Sequence, residues 1–115
     1  MRQIKRSQYA FSVDFEERVA FNQAVKANGA SSLTEVRRMV DDFLRDQSPY
    51  SEIIKLSKKK AVQEFPTKKV RINAHFDGAS LRRFTVTCQY ANLCVSNILR
   101  EMVVAYVQKH TRASD

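Results

Sequence analysis

The second half of the chain repeats the first at a fixed offset of 63 residues. Setting Asp14 over Asp77 without a gap pairs Phe21 with Phe84, Val36 with Leu99, Arg37 with Arg100, Met39 with Met102, Val40 with Val103, Phe43 with Tyr106 and Leu44 with Val107. Four of these seven pairs are identities and the other three exchange similar apolar or aromatic side chains, so what repeats is a pattern of burial. In a chain of 115 residues, two independent units of this size would each bury too little apolar surface to be comfortable alone. The repeats are therefore expected to share one core in a single domain, residues 1–115, with a first unit over 7–46, a basic linker over 47–68 and a second unit over 69–110.

Within each unit a short alternating strand precedes two helical segments. Tyr9, Phe11 and Val13 alternate with Gln8, Ala10 and Ser12, and Val70, Ile72, Ala74 and Phe76 alternate with Arg71, Asn73 and His75, which is the period of a half-buried strand. Asp14 followed by Glu17 predicts a capping box opening a helix, and Asn28-Gly29 predicts its end. The cluster Ser31, Ser32, Thr34 and Glu35 opens a second helix, which buries Val36, Met39, Val40, Phe43 and Leu44 at spacings of three and four. In the second unit Asp77 caps a helix ending near Asn92, and another runs over about 95–109. There Asn92 stands where Gly29 stood, so this turn has room to slip by one. Between the units, 51–65 has the composition of a short helix ahead of Pro66.

A lone strand of this length is unstable, whereas one from each unit can pair antiparallel. Such a ribbon would lay its apolar side on the helices and turn Gln8, Ala10, Ser12, Arg71, Asn73 and His75 outward together. Two-stranded ribbons fit the major groove of B-DNA, where Arg pairs with guanine and Asn or Gln with adenine through two hydrogen bonds. The net charge of +8 and pI near 9.8 suit a polyanionic partner, nucleic acid or an anionic membrane surface. Residues 1–46 carry 8 basic and 7 acidic side chains, 47–69 carry 6 and 2, and 70–115 carry 6 and 3, so the excess lies in the linker and the second unit.

The order strand, helix, Asn28-Gly29 turn and Ser32-Leu33-Thr34-Glu35-Val36 helix opening resembles the ribbon-helix-helix family of DNA-binding proteins, which includes the Arc and MetJ repressors. Most members build the ribbon from two identical chains. This chain resembles a fused form, as in the TraY-type accessory proteins of conjugative relaxosomes. The resemblance implies an α+β, mostly helical fold, a tandem ribbon-helix-helix with an intramolecular antiparallel ribbon and pseudo-twofold symmetry. It implies that the outward strand residues read bases and that the second helix of each unit grips a phosphate. Free N–H groups and the positive dipole end at Ser31, Ser32 and Thr34, and at Cys94 and Ser96, give that grip a physical basis. Lys5, Arg6, Lys68 and Lys69 flank the strands and would add salt-dependent affinity for the DNA backbone. The outward faces differ between strands, so the expected target is an imperfect inverted repeat.

The expected partners are double-stranded DNA and other proteins of a DNA-processing complex, with a monomer in solution that associates side by side on DNA. The expected roles are an accessory factor in plasmid transfer or partition, or a transcriptional repressor. The rival reading is a protein-interaction module that keeps the core and reads no bases. Basic residues are not gathered on one long amphipathic helix, which argues against a membrane surface. With no run of about 18 apolar residues and no apolar leader, the chain is expected to be cytoplasmic. No nucleophile–base pair, paired carboxylates or glycine-rich phosphate loop stands out, so neither catalysis nor a cofactor is expected. Cys88 and Cys94 lack the partners of a zinc site and are expected to be free, mostly buried thiols.

Overall fold

A computed structural model describes residues 6–59 and 63–113. It is α+β and mostly helical: strand β1 (Arg6–Asp14), helices α1 (Phe15–Ala27), α2 (Ser32–Arg45) and α3 (Ser51–Lys59), strand β2 (Lys69–Asp77), and helices α4 (Gly78–Tyr90) and α5 (Val95–Ala113). A 3-10 turn, Ser48–Tyr50, leads into α3. Each element of the second unit starts 63 residues after its counterpart, so the burial pattern read from sequence also marks where elements begin.

The strands pair with each other, antiparallel, as a two-stranded sheet. Ala10 lies opposite Asn73 at the middle of the register, and these two residues are themselves 63 apart. Phe11, Val13, Ile72, Ala74 and Phe76 are buried and Tyr9 and Val70 partly so, because the apolar side of the ribbon faces the helices. The core under it draws on both units: Phe21, Val25, Val36, Val40 and Phe43 from the first, Phe84, Cys88, Leu99, Met102 and Val103 from the second. Phe43 bridges them, meeting the Phe84 ring edge-on at 5.5 Å and the linker's Tyr50 ring at 5.4 Å.

Local signals set the helix ends. Asp14 caps α1 in a capping box with Glu17, whose carboxylate accepts the Asp14 N–H at 2.9 Å. The α1–α2 turn closes through Gly29 at φ 70°, with Ala30 N–H donating to the Val25 carbonyl at 3.1 Å. The α4–α5 turn repeats this geometry without glycine: Asn92 takes φ 56° and Leu93 N–H donates to the Cys88 carbonyl at 2.8 Å. The turn therefore does not slip; asparagine tolerates the left-handed region, and buried Leu93 pins the register. Asn92→Ala should cost about 1 kcal/mol while Asn92→Gly stays within about 0.5 kcal/mol of the parent, read from urea midpoints. Equal effects of the two would remove the left-handed backbone as the cause.

Three expectations need correction. The linker helix spans Ser51–Lys59 rather than 51–65, and Phe65 lies outside it because its ring is held by Arg100 and Lys69, at 4.6 and 5.5 Å from the two cations. Helix α5 continues past Lys109 to Ala113. Of the two free thiols only Cys88 is buried; Cys94 is exposed, at the mouth of the turn before α5.

Candidate nucleic-acid interface

The strand pleat and the register together assemble one polar face. Gln8 lies opposite His75, Ala10 opposite Asn73 and Ser12 opposite Arg71. Gln8, Arg71, Asn73 and His75 are exposed, while Ala10 and Ser12 are half-buried between them. All six sequence candidates for base reading thus share one surface. No acidic side chain interrupts it between Asp14 and Asp77, the strands' last residues.

Those two aspartates occupy equivalent positions in the repeat but have different surroundings. Asp14 is buried, 4 % exposed, and its carboxylate accepts the Thr67 hydroxyl at 2.6 Å and the backbone N–H groups of Thr67 and Lys68 at 2.8 and 3.1 Å. These bonds, the Thr67 hydroxyl first, hold its carboxyl down at about 2, below the ordinary 3.8. Phe15 N–H in turn donates to the Lys68 carbonyl at 2.8 Å. The end of the linker is thereby sewn to the end of β1, and exposed Lys68 and Lys69 are set beside the strand that carries Arg71. Asp77 is exposed, and its carboxylate caps α4, accepting the Ala79 N–H at 3.4 Å.

A depressed carboxylate stabilises the fold fully above its unfolded pKa and loses that contribution as pH falls through its folded value. Stability from the Asp14 clasp should thus persist above pH 3.8 and disappear towards pH 2. Thr67→Val removes the leading donor, so the Asp14 carboxyl should titrate higher by NMR and acid unfolding should begin at higher pH. An Asp14 carboxyl that titrates at its ordinary value in the parent protein would rule the clasp out.

A second fastening went unnoticed in the sequence. Arg100, 8 % exposed, forms a bidentate pair with Glu17, at 2.9 and 3.2 Å, and donates to the Glu64 carbonyl at 2.6 Å. Its repeat partner Arg37 is exposed, and Glu17's counterpart is Ser80, so this contact belongs to one half only. Alignment of the repeats suggested like environments for the two arginines. An arginine inside the apolar stripe Ile98, Leu99, Met102 and Val103 was the available signal.

No family model matches the chain, and no curated protein or solved structure does either. The arrangement of the side chains therefore has to carry the functional reading.

The proposed phosphate positions divide. Ser31 caps α2, accepting the Thr34 N–H at 3.2 Å, and its hydroxyl donates to the Thr34 hydroxyl at 2.7 Å. The Ser32 hydroxyl donates to the Asn22 side-chain oxygen at 2.6 Å, tying α2 to α1. At α5 the Ser96 and Tyr9 hydroxyls share a 2.9 Å bond, which anchors the helix start to β1, and Cys94 is exposed beside it. These hydroxyls already have protein partners. An anion at either helix start would therefore be met first by backbone N–H groups and the helix dipole. Lys5 and the side chain of Arg6 lie outside the described residues.

A cavity of about 240 Å³ lies elsewhere, between α2, α3 and α5, lined by Met39, Tyr50, Ile53, Met102, Tyr106 and His110 among others. Arg38 at its edge is already held by Glu35 and Asp42. Among the described residues no cluster of three His, Cys, Asp or Glu side chains is arranged for a metal ion, and no helix is long and apolar enough to cross a membrane.

Proposed function

We propose that the chain is a tandem ribbon-helix-helix protein that binds duplex DNA by inserting its intramolecular ribbon into the major groove, with an approximate twofold axis through the Ala10–Asn73 pair. It acts by binding, without bond chemistry. The observation that carries this reading is the register, which gathers Arg71, Asn73, Gln8 and Ser12 on one exposed face free of carboxylates. Arginine offers guanine two donors, and the amides of Asn and Gln complement adenine, so the face has the chemistry of direct readout. Lys68 and Lys69 beside it supply phosphate affinity that weakens with salt. The proposed setting is an accessory role in plasmid transfer or partition, or transcriptional repression, in the cytoplasm, with chains associating side by side on DNA.

The test is selection of bound sequences from a random duplex pool at physiological salt, followed by binding curves for Arg71→Ala. A bidentate contact predicts a loss of about 1–3 kcal/mol on the selected site and relaxed preference at one base pair. Equal weakening on every sequence would reduce Arg71 to a phosphate contact. Random duplex competing as well as any selected site would end the reading and favour a protein-interaction module.

A further inference from the structure

The two ends of the ribbon are unlike, and the difference has a direction. At one end lie Ser12 and Arg71, with exposed Lys69 and Lys68 following and the Asp14 carboxylate buried on Thr67 and Lys68. At the other end lie Gln8 and His75, followed by Arg6 opposite Asp77, whose carboxylate is exposed where that of Asp14 is buried. Gln8 and Arg71 are repeat-equivalent, as are Ser12 and His75, so a twofold rotation would exchange a guanine-type reader for an adenine-type one. It would also exchange a buried carboxylate, Asp14, for an exposed one, Asp77.

From these observations we infer that the ribbon takes up its DNA in a single orientation: the Ser12–Arg71 end lies on a guanine-containing half, gripped by Lys68 and Lys69, and the Gln8–His75 end lies on an adenine-containing half. This rests on the DNA-binding reading above. The two end pairs are separated by four residues along the strand, or about 13 Å at about 3.3 Å per residue. With a rise of about 3.4 Å per base pair, the guanine and the adenine fall about three to four base pairs apart. The substrate is therefore an asymmetric duplex with a polarity, not only an inverted repeat with errors. The polarity comes from the linker clasp as much as from the base readers. Without it the Asp14 carboxylate would be left exposed near Arg71, as the Asp77 carboxylate is at the far end.

Two measurements on the full chain test this. Selection from a random duplex pool should return a motif with guanine at one end only, and replacing that guanine should weaken binding about tenfold. R71Q gives both units the same side chain at this position, so its selected motif should move towards an inverted repeat. Hydroxyl-radical footprints should lie in one orientation relative to the guanine, and a Lys68→Ala, Lys69→Ala double variant should retract the footprint on the guanine side alone. A wild-type motif with the same base at both ends, an unchanged motif for R71Q, or a footprint that the double variant retracts equally on both sides would overturn the orientation while leaving DNA binding standing. A pool with no enriched sequence would instead remove the DNA-binding reading itself.

Discussion

Replacing Phe84 with alanine should cost about 3–5 kcal/mol, the range for emptying an aromatic site in a closed core. The ring is fully buried and packs edge-on against Phe43, which in turn meets Tyr50 of the linker. The cavity would thus open where the two units and the linker converge, with little freedom to collapse. Small domains are stable by only about 5–15 kcal/mol, so this loss removes a large share of the total. Because the core is common to both units, the variant should unfold in one transition at a lower urea midpoint, with the slope unchanged. Phe21→Ala, the equivalent change in the first unit, should behave the same way; its ring is also fully buried and meets Tyr106 at 5.4 Å. Two separated transitions in either variant would show that the units fold independently.

Arg100→Ala should cost about 3 kcal/mol, through a different mechanism. Removing the guanidinium leaves the Glu17 carboxylate in a partly buried site without its cation and deprives the Glu64 carbonyl of its donor. It also withdraws the cation stacked 4.6 Å from the Phe65 ring. Most of the cost is the penalty of stranding Glu17, so the double variant Arg100→Met, Glu17→Gln should recover much of it. Arg100→Lys should not, because an ammonium cannot reproduce the two-pronged contact together with the third bond to Glu64. Arg37→Ala, at the equivalent but exposed position, should be neutral to within about 0.5 kcal/mol. Urea unfolding of the four variants decides the matter, and a small loss in Arg100→Ala would mean that the linker does not need this anchor.

The strands, the helix starts and the buried faces were legible because each follows a local rule. Alternation exposed the strands, Asp14 with Glu17 signalled a capping box, and the spacing of Val36, Met39, Val40 and Phe43 gave the buried stripe of α2. The offset of 63 residues then identified the partner strand. Two features were not legible. The ends of α3 and α5 depend on what the chain packs against: Phe65 leaves the helical course to reach Arg100, and α5 runs on beyond the length of its counterpart. The clasp was hidden because a repeat averages over differences, and Asp14 and Asp77, or Arg37 and Arg100, look alike when aligned. The outward face of the ribbon was legible as a list of residues, but their pairing across strands came only with the register.

Pairing β1 with β2 also bears on how the chain is made. As it leaves the ribosome, β1 emerges with its backbone groups unpaired and must wait while residues 15–68 are synthesised before its partner exists. During that interval an apolar strand with two open edges is available to any other copy, whose own β2 fits the same register. High expression should therefore favour exchanged dimers in which each ribbon is built from two molecules, and dilution before folding should favour the closed monomer.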